Sequence, residues 1–180
     1  DRSQGAGLSA LSVLFGWKLI ALIVPGEPYA QGVAESFQDA FQTRQPSATV
    51  HRESVPNMPL KKPSDLASFD YRKLRQLAAK VERRRPSPRI LISAGYRYAM
   101  IPIVRAFHEI GLAGAATQWL ASEDSCTVDG LRHVADIEES LAAVAPGDSL
   151  FAPNATATFS WASVPTLLRG MLCVLPVSRG

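Results

Sequence analysis

Residues Leu19–Val24 read LIALIV, six apolar side chains in a row between Lys18 and Pro25-Gly26. The run is too short to cross a bilayer as a helix, which takes about twenty residues. It suits a strand buried on both faces, of the kind that parallel sheets carry between two layers of helices. Similar short runs recur at Arg89–Ser93 (RILIS), Thr117–Ala121 (TQWLA) and Met171–Leu175 (MLCVL), with a weaker strand around Thr49–Val55.

Helical spacing fills the gaps between these runs. Leu8, Leu11, Leu14 and Phe15 predict an amphipathic opening helix that ends near Gly16. Val33, Phe37 and Phe41 share one face of a helix expected from about Tyr29 to Phe41. Phe69, Leu74, Leu77, Ala78 and Val81 support another, which Pro86 and Pro88 bring to a stop. Ile101, Val104 and Phe107 place a helix over about Tyr98–Ile110, with Gly111 positioned to cap it. A further helix is expected from about Asp129 to Ala143. Strand and helix alternating in this way predict an α/β fold, a Rossmann-like parallel sheet flanked by helices. Residues 1–180 read as one domain, with a proline-containing surface loop at Pro56–Ser64 and an irregular insertion at 146–169.

Composition narrows the classes of function. Of the 180 residues, 47% are hydrophobic and 19% charged, which is globular rather than disordered. The net charge of +3 owes much to Arg83-Arg84-Arg85 and Arg89 at the end of a helix, where cations face water and complement the helix dipole. A nucleic-acid surface needs basic residues spread over a face with aromatics to stack bases, and that pattern is missing. Cys126 and Cys173 have no metal-ligand spacing, and His51, His108 and His133 do not complete one. The two cysteines form either one disulfide or two buried thiols. Asn154-Ala155-Thr156 is a glycosylation acceptor sequence, meaningful in a secreted chain. No apolar run is long enough to span a membrane, and Asp1 stands where a methionine would. The chain therefore reads as an excised or incomplete piece, which leaves room for a targeting segment or membrane anchor outside it.

In open α/β sheets, ligands bind beyond the carboxyl ends of the strands. Three loops qualify: Pro25-Gly26-Glu27-Pro28-Tyr29, Ala94-Gly95-Tyr96 and Ser122-Glu123-Asp124. They offer tyrosines, hydroxyls, helix-start amides and carboxylates, a set suited to a small polar ligand carrying an amine. Ser93 and Ser122 either orient such a ligand or cap the following turn. Catalysis is poorly served, because there is no nucleophile elbow, phosphate loop or dinucleotide fingerprint. No histidine falls in the three loops to act as a base near neutral pH. No catalytic residue, metal or cofactor is assigned.

Several of these stretches resemble one known family in order and spacing. Gln4–Phe41, with FGWK, ALI and YAQGVAESFQDAF, resembles the ligand-binding region of family C G-protein-coupled receptors, natriuretic-peptide-type receptors and branched-chain amino-acid binding proteins. Phe69–Leu77 (FDYRKLRQL) is similar to its middle helix, and Gly111-Leu112-Ala113-Gly114 to its G-L-x-G sequence. Gln118–Glu123 (QWLASE) is similar to its W-I-G-S-D turn, and Gly170–Pro176 (GMLCVLP) to the strand that follows; 146–169 matches no part of it. The resemblance implies the second lobe of a two-lobed, type I periplasmic-binding-protein-like domain, with the first lobe outside this chain. It implies an acidic ligand contact at Asp1, a tyrosine contact at Tyr29 and a carboxylate contact at Glu123, with Ser93, Tyr96 and Ser122 lining the same edge. Glu123 departs from the family's aspartate by one methylene, and the groups that hold a ligand's carboxylate belong to the first lobe.

Taken with that resemblance, the chain is expected to be an extracellular ligand-binding lobe of a membrane receptor that signals by closing two lobes around its ligand. Its expected partners are the small molecule and the first lobe, homodimerisation stays open, and membrane attachment comes only through segments outside these residues. The alternative is a soluble solute-binding protein serving a transporter; an α/β enzyme fits less well because it lacks a base and a nucleophile. A sugar-binding transcription regulator shares the fold but brings a helix-turn-helix, and none precedes the domain here.

Overall fold

The apolar runs become the centre of a parallel sheet. A computed structural model describes residues 2–55, 71–94, 97–113, 116–122 and 171–174. In chain order these form α1 (Arg2–Leu14), β1 (Leu19–Pro25), α2 (Pro28–Arg44), β2 (Thr49–Val55), α3 (Tyr71–Glu82), β3 (Ile90–Ser93), α4 (Arg97–His108), β4 (Gln118–Ser122) and β5 (Leu172–Val174). The five strands run in the order β2-β1-β3-β4-β5, and every neighbouring pair is parallel. The fold is therefore α/β and Rossmann-like, as the alternation predicts. The expected helix at 129–143, the loop at 56–64 and the insertion at 146–169 lie outside the described residues.

Side-chain alternation along each strand divides the core in two. Ile20, Leu22 and Val24 of β1, Ile92 of β3 and Leu120 of β4 pack with Leu8 of α1 and with Val33, Phe37 and Phe41 of α2. Ala21, Ile23, Leu91, Trp119 and Ala121 pack on the other side with Leu74, Leu77 and Val81 of α3 and Ile103, Val104 and Phe107 of α4. The faces follow from topology. The β1-to-β2 connection moves one way across the sheet and the later ones move the other way, so crossovers of one hand place α2 opposite α3 and α4. Both faces of β1 are covered, which is why LIALIV has no polar alternate position.

Glycine closes two helices where the sequence indicates. Gly16 has φ 66°, its N–H donates to Val13 O at 3.0 Å, and the Trp17 N–H donates to Ser12 O at 3.0 Å. Gly111 has φ 78°, with its N–H donating to His108 O at 2.9 Å and the Leu112 N–H donating to Phe107 O at 2.8 Å. Each is a Schellman turn, whose left-handed residue is accessible to glycine without a Cβ penalty.

Two expectations need correction. The buried side of α1 keeps only part of the leucine stripe, Leu8 in the core and Leu11 packed against it. Gln4, Gly5, Leu8, Ser9 and Ser12 face inward, whereas Leu14 is 75% and Phe15 52% exposed. The reason is proximity to α2: a Cβ on Gly5 would lie 2.5 Å from Val33 O and 2.7 Å from Phe37 N. Small residues allow that approach, and leucines would prevent it. The arginine cluster is also not wholly solvated. Arg83 and Arg85 are exposed, and Arg85 Nη1 donates to Glu82 O at 2.9 Å and Arg84 O at 3.0 Å at the helix end. Arg84, however, turns in to the buried Glu53 on β2.

The cysteine alternatives narrow as well. Cys173, at the middle of β5 and paired in register with Ala121, is disulfide-bonded. Cys126, the other cysteine in the sequence, lies outside the described residues.

Candidate functional site

A strand order of 2-1-3-4-5 puts the topological switch between β1 and β3, and sheets of this kind bind ligands beyond the carboxyl ends of the strands at that point. On one side β1 ends in Pro25, and the chain passes through Gly26 and Glu27 into α2. Proline at the start of α2 costs no intrahelical bond, because the first amides of a helix have no partner within it. On the other side β3 ends in Ser93, and the Ala94 N–H donates to Ile23 O at 3.2 Å, joining the two strand ends.

Gly26 is exposed and Pro25 is buried, while Glu27 is only 6% exposed. Glu27 is the N-cap of α2 and makes no side-chain cap bond, and its position puts a carboxylate at the positive end of the helix. The loop is fixed by the first turn of α2. The Gln31 N–H donates to Glu27 O at 3.0 Å, and Gln31 Nε2 donates to Pro25 O at 3.1 Å. Gln31 Oε1 in turn accepts from Arg52 Nη2 of β2, whose Nη1 donates to Gln38 Oε1 at 3.0 Å.

Three of the sequence-derived site residues can be placed. Tyr29 sits in the first turn of α2, half-buried against the α1–α2 core, and its hydroxyl donates to Gln4 Oε1 at 2.5 Å. Ser93 is 1% exposed, and its Oγ has no hydrogen-bond partner among the described residues. Ser122 ends β4 and is fully buried. Alternation puts Ser93 with Leu91 on the α3–α4 side and Ser122 with Leu120 on the α1–α2 side. The structure therefore brings all three to one edge of the sheet but does not gather the two serines on one face. Asp1, Tyr96, Glu123 and Asn154 lie outside the described residues.

Glu27 was not singled out from the sequence, although its loop was. The available signal was an acid directly before a proline, between an apolar strand and a helix, which marks an N-cap and so places a charge at the strand end. A second buried carboxylate, Glu53, lies on β2 and is 3% exposed. Its Oε2 accepts from Lys80 Nζ at 2.7 Å and its Oε1 from Arg84 Nη2. Burial pushes the Glu53 carboxyl up, but the hydrogen bonds and charges of Lys80 and Arg84 outweigh this and hold it below the usual carboxylate range. Nearby His51 is held below its ordinary value, first by burial and then by the Arg84 charge, against the opposing pull of Glu53. Both oxygens of Glu53 are committed, one to Lys80 of α3 and one to Arg84 just past its end, so this cluster is a clamp between the strand and the end of the helix.

Among the described residues no group of three or more acidic, histidine or cysteine side chains could hold a metal ion, and no helix is long and apolar enough to cross a membrane. Fold and strand order define a doubly wound α/β domain with its switch point between β1 and β3. No protein-family model and no curated protein matches the chain.

Proposed function

We propose that this chain is one lobe of a two-lobed ligand-binding domain of an extracellular receptor, taking a small ligand with a cationic group at the carboxyl edge of its sheet. The observation that carries the reading is Glu27, a carboxylate 6% exposed at the end of β1, beside the switch between β1 and β3. A carboxylate withheld from bulk water attracts an ammonium group more strongly than an exposed one, through charge-assisted hydrogen bonds. Tyr29, two residues on and half-buried, is the aromatic residue that this reading assigns to the same charge. The order of family-like stretches described above supports the receptor assignment. The disulfide at Cys173 supports an oxidising compartment.

A site on one lobe provides about half the contacts, so affinity of this chain alone is expected to be weak, roughly millimolar. The test is an NMR titration of the 180-residue protein with small α-amino acids and, in parallel, with their α-hydroxy-acid analogues. Shifts confined to residues 25–29 and 93–94, seen with the amines and lost in Glu27→Gln, support the reading. Equal binding of the analogues, or no response to any amine, removes it. Tight binding by this chain alone, abolished by Tyr29→Ala, would instead point to a self-contained site.

A further inference from the structure

We infer that Gln31 and Arg52 are positioning residues for the Pro25–Glu27 loop, an inference that rests on reading that loop as part of the ligand site. A loop between a strand and a helix has a carbonyl at the strand end that sheet pairing does not always satisfy. Here Gln31 reaches back from the first turn of α2 and donates to that carbonyl, Pro25 O, at 3.1 Å, while its backbone N–H takes Glu27 O at 3.0 Å. A glutamine amide can rotate, and either oxygen or nitrogen could face the loop. The Arg52 guanidinium decides the matter, because it can only donate. Nη2 donates to Gln31 Oε1, and Nη1 is held by Gln38 Oε1 at 3.0 Å two helical turns further on. The fork of Arg52 thus fixes the glutamine with its nitrogen toward Pro25, and the loop that carries Glu27 takes its place from strand β2. Arg52 is in register with Leu22, three residues below Pro25, so the relay connects the loop to the middle of the neighbouring strand.

Simple bracing of β2 against α2 would predict something different, and substitutions at Gln31 separate the two roles. Gln31→Glu keeps an acceptor for Arg52 but can no longer donate to Pro25 O. Gln31→Met removes both bonds without adding charge near Glu27. The readout is the backbone 15N order parameter of Gly26 and Glu27 in the full chain, against Leu22 in the strand and the melting temperature. In both variants Gly26 and Glu27 are expected to fall from about 0.85, typical of rigid backbone, toward about 0.6, with Leu22 unchanged. Gln31→Glu should keep the wild-type melting temperature, and Gln38→Met should leave the loop rigid. Wild-type order parameters in Gln31→Glu, or loosening that spreads equally through α2 and β2, would overturn the positioning role. Because this readout needs no ligand, it stands or falls separately from the amino-acid titration. If wild type binds no amine yet Gln31→Glu loosens the loop, positioning is upheld and the ligand reading is lost.

Discussion

Strands β1 and β2 pair residue for residue over seven positions, from Leu19 with Thr49 to Pro25 with Val55, yet they are held by different forces. In β1, Ile20 to Val24 are fully buried and apolar, and each side chain packs into one of the two cores. In β2 the central residues are His51, Arg52 and Glu53, and the strand is the edge of the sheet. Its two faces are tied down by side-chain bonds: Glu53 to Lys80 of α3 and to Arg84 just past the end of that helix on one side, Arg52 to Gln31 and Gln38 of α2 on the other. The difference shows two ways to place a strand. Burial is non-directional and tolerates small shifts, whereas a fork of hydrogen bonds sets position and register. Charged side chains also deter unwanted pairing at an open edge.

The largest effect should come from the apolar strand. Leu22→Ala removes a fully buried side chain from the α1–α2 core and is expected to cost about 3 kcal/mol, from lost transfer energy and the cavity left behind. Chemical denaturation with an unchanged m-value checks it. A cost no larger than that of a polar substitution in β2 would break the contrast between the strands.

The same contrast explains what the sequence could reveal. β1, β3 and β4 were legible because burial on both faces writes an unbroken apolar run. The ends of α1 and α4 were legible because only glycine enters the left-handed turn readily. The α1 face was legible only in part, since Leu8 and Leu11 do pack on the core, whereas close helix approach selects Gly5, and Leu14 and Phe15 are left outside. Gly5→Ala is accordingly expected to destabilise by about 2 kcal/mol by forcing α1 away from Val33 and Phe37, with thermal unfolding as the check. Of the edge site, the loops were legible from strand ends. The roles of Glu27, Arg52 and Arg84 were not, because they depend on partners 21 to 31 residues apart or on burial that no local pattern encodes.

For β2 the expected cost is smaller. Glu53→Gln keeps the shape but weakens two charge-assisted bonds, and about 1–2 kcal/mol is expected. The cost is moderated because Lys80, with 64% of its side chain exposed, can return to water. Arg84 is the more enclosed partner, at 30%, so Arg84→Met should cost more than Lys80→Met. The reverse order would mean that the lysine, despite its exposure, carries the clamp.

The smallest effect is the one that shows the polar strand at work as pH changes. Glu53 has its carboxyl held below the ordinary range in the folded protein, so the unfolded chain takes up that proton first as pH falls. Its contribution is full above the unfolded value, about 4.3, and is lost as pH drops toward the lower folded value. His51 behaves with the same sign. Its folded value lies below the unfolded one, about 6.5, because burial and the Arg84 charge disfavour the cation. Protonation therefore favours the unfolded chain as pH falls below about 6.5, ahead of the carboxylate. Stability measured by urea titration should decline in two stages, one beginning near pH 6.5 and one beginning near the ordinary glutamate value, about 4.3. His51→Asn should remove the first stage alone, and Glu53→Gln should flatten the second. Removing Glu53 also deletes a nearby negative charge that stabilises the imidazolium, so in Glu53→Gln the first stage should deepen rather than vanish. A first stage that stays the same in Glu53→Gln would show that the two groups titrate independently, and that the clamp on β2 is a set of separate bonds rather than one electrostatic unit.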